Sequence, residues 1–600
     1  MAGQSGRSSF ARSHPSMADA TETADRDARS EADAARQAAR AADAQLRLGE
    51  LSQARTDDIV EAMARAAERH AEELAEAAVE ETGYGIAADK VRKNLFAARN
   101  VHAFIRPMTT VGVIARHEDR RVVDIAEPFG PVAAIVPSTN PTSTAIYKLL
   151  IALKARCAIV LSPHPAAQGC ITRTAELLAA AAREAGAPDG AISWLTTVTV
   201  AGTQALMRRR EIAVILATGG LGLVRAAYSA GKPAYGVGPG NAPAYIERSA
   251  DVAKAVRDIV TGKTFDNGLL CSSENAVIAD AAVAEQVRHA FRAAGGYFLN
   301  EPERAAVAAA LVTPKRLPHP DLVGRSAVEV ARRAGIDVPP GTRVLIAPLA
   351  GVGRDHPLSI EKLCPVLAFY EVADWRGGGE RCKEILRYGG MGHTMAIHSR
   401  NDAVVLEFGL QKPAFRIVVN SPTTHGSIGL TTGLDPALTL GCGGLGGNIT
   451  SDNISPRHLL NVKRLAYEVR PASTGEGPHA LPRPPAPARA ARPAVLDPSA
   501  LAARIDDYLG AGAANEAGSS ESDGDAEAAG SRRVSPPEQG RPVEPTVPAE
   551  PAAFVCEADV RGALAAGRPI RIDPRTIVTP AARDLAAGRD ILLEVDGGTG

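Results

Sequence analysis

From residue 131 onward, short continuous apolar runs alternate with longer helical stretches, and no other feature limits the possible folds as tightly. PVAAIVP (131–137), AIVLSP (158–163), AISWLT (191–196) and IAVILAT (212–218) read as strands buried on both faces, because their apolar residues are consecutive. Helical stretches over 143–156 and 172–186 separate them, and IAVILAT runs into Gly219-Gly220 and a further helix. The second half has the same character, with ENAVIA, RVLIAP, PVLAFYEV, MAIHS and FRIVVN as strands. The expectation is an α/β protein with two lobes, each a parallel sheet covered by helices, and ligands at the carboxyl ends of strands. Upstream, Ile59, Met63, Ala66, Ala67 and Leu74 fall near helical spacing, and Gly83 is placed to end that run.

Composition divides the 600 residues further. Residues 1–45 are rich in Ala, Asp and Arg and should lack a core of their own, as a disordered extension. Residues 46–470 read as globular, 471–552 as a Pro/Ala/Gly/Ser/Glu-rich linker, and 553–596 as a small ordered module. No internal repeat is evident. The balance of 67 basic against 68 acidic residues gives no sign of a nucleic-acid surface. No apolar run is long enough to span a membrane, and the first residues lack the apolar stretch of a secretory signal. Seven scattered cysteines without CxxC or zinc spacing read as reduced thiols in a cytoplasmic protein, with no metal site.

Three segments can carry chemistry. In KTFDNGLLCSSENAVIAD (263–280), Cys271 lies between a glycine-containing turn and a strand, where a thiol could act as nucleophile or simply fill a core. In PSTNPTSTAIYK, Asn140 precedes a proline at a strand end; its amide could donate to an oxyanion or merely form a turn. In IAVILATGGLGLVRAA, a strand, a glycine pair and a helix could bring backbone amides to a phosphate or a nicotinamide. Cys157 and Cys364 read as core residues, and Cys442 as part of a glycine-rich turn.

Taken together and in order, PSTNPTSTAIYK, LSPHPAA, ILATGG, AYSAGKPAYGVGPGNAPAYIE, KTFDNGLLCSSE, EKLCPVLAFY, GGMGHT and LTLGCGGLGGN resemble the acylating, coenzyme A-dependent branch of the aldehyde dehydrogenase superfamily. The similarity covers about residues 46–470 and is greatest to the ethanolamine- and propanediol-utilisation enzymes and to the aldehyde dehydrogenase half of bifunctional alcohol/aldehyde dehydrogenases. It implies a Rossmann-like NAD-binding domain (46–240) with a β-flap strand near 115–130, a catalytic domain (241–440), and a return segment with an oligomerisation strand (441–470). It implies Cys271 as nucleophile, Asn140 as oxyanion donor and His393 as an acid/base beside the thiol. Pro137, Ser138, Thr139, Ser162, His164, Thr218, Gly219, Gly220 and Glu361 fall on the cofactor-binding positions, Glu361 as the contact to the nicotinamide ribose.

Two departures from hydrolytic relatives bear on the chemistry. Val237 stands where they carry a water-activating glutamate, so an acyl-enzyme here should wait for coenzyme A. Ser162-Pro163-His164-Pro165 replaces a lysine-containing motif that contacts the adenosine ribose, which favours NAD. The resemblance thus implies oxidation of acetaldehyde or propionaldehyde to acyl-CoA, reversibly, by a homodimer or homotetramer. A polar substrate such as sulfoacetaldehyde stays open, as do a hydrolytic enzyme and a catalytically idle shell-binding protein. Within the linker, VLDPSALAARIDDYLG places Leu501, Ile505, Tyr508 and Leu509 on one face of a short helix over 497–509. Too short to be stable alone, it should dock either on its own subunit or in a partner groove. It resembles the encapsulation peptides of bacterial microcompartment enzymes, which implies a shell protein as partner.

Overall fold

The structure, a computed structural model, describes residues 17–470 and most of 551–594. The two parts belong to separate compact units, divided near residue 475. The expected helix over 497–509 and nearly all of the linker lie outside the described residues.

Three sheets organise the larger unit. The flap comprises β1 (Gly112–His117) and β2 (Val122–Pro128). A five-stranded sheet follows, from β3 (Val132–Val136), β4 (Ile159–Pro163), β5 (Ile192–Trp194), β6 (Val214–Thr218) and β7 (Ala234–Val237). A seven-stranded sheet contains β8 (Ala242–Ile246), β9 (Glu274–Asp280), β10 (Gly296–Phe298), β11 (Val344–Pro348), β12 (Val366–Val372), β13 (Met395–His398) and β14 (Ile417–Val419). The chain then returns as β15 (Leu460–Ala466), antiparallel to β2.

The five strands run parallel in the order β5-β4-β3-β6-β7, and the seven run parallel in the order β10-β11-β12-β9-β8-β13-β14. Every residue of β3, β4, β8 and β9 is buried, as consecutive apolar runs require of a sheet covered on both faces. In the smaller sheet the winding reverses at β3, so the crevice between the carboxyl ends of β3 and β6 is its topological switch point. Pro137–Asn140 and Gly219-Gly220 follow those two strand ends directly.

Several expectations are corrected in detail. The extension expected to lack structure through residue 45 is helical from Met17 to Gly49. Its Ala34, Ala38, Ala41, Ala44 and Leu48 are buried along one stripe, so it borrows the core of the five-stranded layer instead of building one. The stripe is alanine because the helix approaches its neighbour closely: a Cβ on Gly202, in the helix Val200–Arg208, would fall 1.8 Å from Ser30 Oγ. The single flap strand expected near 115–130 is a hairpin, β1 with β2, and β15 completes it as a three-stranded sheet. The helical run ending at Gly83 is two helices, Gln53–Arg69 and Ala71–Thr82, broken at His70; Gly83 caps the second at φ +67°, a left-handed conformation suited to glycine. Cys157 and Cys364 are buried but lie just outside the strands β4 and β12.

The C-terminal module corrects the view that no repeat exists. It runs β16 (Phe554–Val555), helix Glu557–Ala566, β17 (Ile570–Ile572), then β18 (Ile577–Val578), helix Pro580–Ala586, β19 (Leu592–Glu594). This is one strand-helix-strand unit twice, with LAAGR at 564–568 and again at 585–589. β16 pairs with β18 and β17 with β19, both parallel, around Val555, Val560, Ala582 and Ile591. No described helix is long and apolar enough to cross a membrane, and no described group of His, Cys, Asp or Glu could hold a metal ion.

Candidate active site

A cavity of 610 Å³ opens at the switch point, within the size range of small-molecule and cofactor sites. Pro137, Ser138, Thr139 and Asn140 line it from the end of β3, Ser162 and His164 from the end of β4, and Thr218, Gly219 and Gly220 from the end of β6. Cys271 and Glu361 close it from the seven-stranded lobe, and Val237 lines it from the end of β7 in the smaller sheet. Every cofactor position read from the sequence thus reaches one cavity. Val198, Thr199, Thr203, Gln204, Leu223 and Leu363 also line it and were not read from the sequence. Leu223 and Leu363 lie inside stretches already singled out, IAVILATGGLGLVRAA and EKLCPVLAFY, whereas Val198, Thr199, Thr203 and Gln204 come from a segment with no motif.

The cavity wall is mostly apolar, and among its described residues Glu361 is the one carboxylate, with no lysine or arginine. Thr218 Oγ1 is buried without a partner at the end of β6. Ser162 Oγ and Thr203 Oγ1 are hydrogen-bonded to each other at 2.8 Å. The Ala166 N–H donates to His164 Nδ1 at 3.1 Å, and burial lowers the pKa of that ring. His164 is therefore held neutral with its remaining proton on Nε2.

Cys271 follows a turn, Phe265–Gly268, in which Asp266 and Asn267 are both left-handed, at φ +48° and +53°. Its half-buried thiol meets His393, whose Nε2 lies 3.2 Å from Sγ. His393 Nδ1 is 3.0 Å from Thr394 Oγ1; with the proton on Nδ1, the Nε2 lone pair faces the thiol. Desolvation pushes the Cys271 thiol up to about 12, with the Glu361 carboxylate adding to the rise. Desolvation, helped by the Arg416 charge, pulls His393 down to about 3. The resting pair is thus neutral imidazole beside neutral thiol, not an ion pair.

Glu361 Oε1 accepts the Gly240 N–H at 2.9 Å, and burial raises its carboxyl to about 8. Gly240 is wedged against Cys271, since a Cβ there would fall 1.9 Å from the Cys271 carbonyl oxygen. Asn140 caps the helix Pro141–Lys154, with Pro141 at its first position, but its side chain makes no capping bond. Asn140 Nδ2 donates to Thr139 Oγ1 at 3.2 Å and lies 3.5 Å from the Leu269 carbonyl, two residues before Cys271. Asn140 Oδ1 accepts from Lys93 Nζ at 2.6 Å, a contact the sequence did not suggest. Asn140 and Cys271 thus line one cavity, and His393, not itself part of its wall, meets the Cys271 thiol.

The aldehyde dehydrogenase family model matches residues 2–318. An aldehyde-alcohol dehydrogenase of Streptococcus pneumoniae is 43% identical over 402 residues, covering 66% of this chain and 46% of the relative. The chain spans about half the length of the bifunctional relatives it matches. Among solved structures, an acetylating aldehyde dehydrogenase from Geobacillus thermoglucosidasius is 48% identical with a TM-score of 0.73, covering 75% of this chain and 99% of that one. A propionaldehyde dehydrogenase from a fucose-utilisation microcompartment of Clostridium phytofermentans is 28% identical with a TM-score of 0.65, covering 72% and 96%. With a switch-point cavity closed by a cysteine from the second lobe, these matches mean that the chain belongs to the aldehyde dehydrogenase family, in its acylating branch.

Proposed function

We propose that this chain oxidises a short aliphatic aldehyde with NAD and coenzyme A to the acyl-CoA, reversibly, through a thioester on Cys271. The contact that carries the reading is His393 Nε2 at 3.2 Å from Cys271 Sγ, the thiol lining a cavity that Val237 also lines, where the resemblance puts a glutamate in hydrolytic relatives. The residues fit a dinucleotide: Thr218 Oγ1 has no protein partner, Glu361 can accept from a ribose hydroxyl, and backbone N–H groups at the start of the helix Leu221–Tyr228 can meet phosphate. A wall without lysine or arginine offers a sulfonate no counter-charge, which favours acetaldehyde or propionaldehyde over sulfoacetaldehyde.

In this reading Cys271 Sγ bonds to the aldehyde carbon as its proton passes to His393 Nε2. Asn140 Nδ2 and the Cys271 backbone N–H steady the oxyanion. NAD, when bound, supplies the hydride acceptor that converts this adduct to a thioester. His393 gives up that proton to solvent, takes the proton of the incoming coenzyme A thiol, whose sulfur replaces Cys271 on the acyl carbon, and returns it to the departing Cys271 thiolate. Exchange of one thioester for another is nearly isoenergetic, so the same groups serve acyl-CoA reduction. The flap edge β15 suits assembly into a homodimer or homotetramer. The microcompartment relative and the 497–509 segment support a cargo role inside a shell, with a shell protein as partner.

The test is the first turnover without coenzyme A. Enzyme, acetaldehyde and NAD⁺ should give a burst of NADH of at most one equivalent per Cys271, then a slow leak; coenzyme A should restore steady turnover and yield acyl-CoA. Sustained turnover without coenzyme A, with free carboxylic acid as product, refutes the acylating reading.

A further inference from the structure

An asparagine side chain works as an oxyanion donor only in one of its two orientations. With Nδ2 toward the reacting carbonyl it donates; flipped, it presents Oδ1 and repels the developing charge. A rigid Asn-Pro step fixes the backbone at Asn140 but leaves this choice open.

The structure settles it through a buried charge cluster outside the cavity. Lys90 and Lys93 are three residues apart on the helix Ala87–Leu95, so they share a face. Both ammonium groups donate to one oxygen, Asp266 Oδ2, Lys90 at 3.0 Å and Lys93 in a shorter contact. The other oxygen, Asp266 Oδ1, accepts the Ile86 N–H at 2.7 Å. The Asp266 N–H in turn donates to Asp89 Oδ2 at 2.9 Å, and Asp89 pairs with Arg92 at 3.5 Å. Lys90, Lys93 and Asp266 are 2%, 3% and 0% exposed. Two buried cations share one fully buried carboxylate; Asp89 acts on Lys93 from the same helix and the Thr139 carbonyl accepts from Lys90 at 3.4 Å, but the positive charge left at Lys93 is costly unless a further acceptor takes it. Asn140 Oδ1 takes it, at 2.6 Å from Lys93 Nζ.

The cluster is built for this contact. A Cβ on Gly85 would fall 2.0 Å from Asp266 Oδ1, so only glycine admits the carboxylate there. Asp266 pays for its place with a left-handed backbone, as does Asn267 beside it. An ammonium group has three donors and no acceptor, so only the oxygen end of the Asn140 amide can face it. Nδ2 is thereby turned toward Leu269 and the nucleophile's segment.

We infer that Lys93, anchored by Asp266, is a positioning residue that holds the Asn140 amide with its NH2 toward Cys271 and places a buried positive charge behind the oxyanion site. This rests on the reading of Asn140 as the oxyanion donor, and it adds the group that orients that donor.

The test is a double-mutant cycle read in the rate of the NADH burst, with thermal melting and NAD⁺ affinity as checks of fold. Lys93→Met leaves Lys90 to pair with Asp266 and should slow the burst roughly 10- to 100-fold, less than or equal to the loss in Asn140→Ala. In the Asn140→Ala background, Lys93→Met should cost under about threefold, because nothing remains to orient. Lys93→Gln, which can still donate to Asn140 Oδ1, should recover part of the rate and keeps the test open if the Met variant folds poorly. If Lys93→Met costs the same in both backgrounds, Lys93 is structural and the inference falls while the role of Asn140 stands. If Asn140→Ala alone leaves the burst unchanged, the oxyanion reading falls first and takes this inference with it.

Discussion

Gly240→Ala adds one methyl group at the tightest point of the site. Gly240 is not in the left-handed region, so alanine meets no backbone strain and the effect is steric alone. The new Cβ would lie 1.9 Å from the Cys271 carbonyl oxygen, whereas real Cβ contacts essentially never fall under 3.0 Å. The obstacle is backbone, which cannot rotate away, so Gly240 and Cys271 must separate by about 1 Å. Overpacking of this kind costs roughly 1–3 kcal/mol of stability. The larger effect is on geometry. Cys271 Sγ and His393 Nε2 are 3.2 Å apart, and the Gly240 nitrogen is 2.9 Å from Glu361 Oε1, so the shift displaces both the proposed nucleophile and the proposed cofactor contact. Misplacing reacting groups by about 1 Å costs on the order of 100-fold in rate. The assay is the rate constant of the single-turnover NADH burst, with a thermal melt to confirm folding. Gly341→Ala is the control, since a Cβ there meets nothing within 4 Å. A Gly240→Ala burst within about threefold of wild type, at full amplitude, would refute the reasoning: the nucleophile's position would then tolerate a displacement that the proposed chemistry does not.

Cys271→Ala should abolish NADH formation while leaving the melt and NAD⁺ binding unchanged; turnover above a few per cent of wild type would remove Cys271 as nucleophile. The charge state of the resting thiol can be read by alkylation. Because burial raises the thiol to about 12, its thiolate fraction should grow about tenfold per pH unit from pH 7 to 10, and iodoacetamide labelling should follow it without levelling off. Cys556 is also half-buried rather than buried, so labelling of Cys271→Ala is subtracted. A plateau near neutral pH would instead reveal a Cys271–His393 ion pair in the resting site.

The parallel sheets were legible because their strands are apolar without interruption, and a sheet covered on both faces demands that. The helix Met17–Gly49 was not, because its buried stripe is alanine. Small side chains register weakly as hydrophobic, yet they are what a close helix contact requires, as Gly202 against Ser30 shows. The flap read as one strand for a related reason. β2 and β15 are separated by more than 330 residues, and their pairing leaves no local period in either segment. In the C-terminal module each strand has only two or three residues, too few for a periodic signal, so the LAAGR recurrence was the readable trace of its two units.

The site divides along the same line. Cys271, Asn140, His393 and Glu361 were legible as one candidate site because each sits in a short stretch that resembles an aldehyde dehydrogenase motif. What holds them was not readable, because it acts through space between segments with no common motif. Gly240 matters for the room it leaves beside residue 271, and Lys93 for an amide 47 positions away. The asymmetry has a physical origin. A reacting group must be one of a few residue types, whereas a supporting group need only supply a volume, a charge or a donor at one place, and many sequences meet that demand. Lys93 is the sharper case, since a lysine in an early helix ordinarily reads as a solvated surface residue. Only its burial, the shared Asp266 oxygen and the Asn140 contact together turn that charge toward the chemistry.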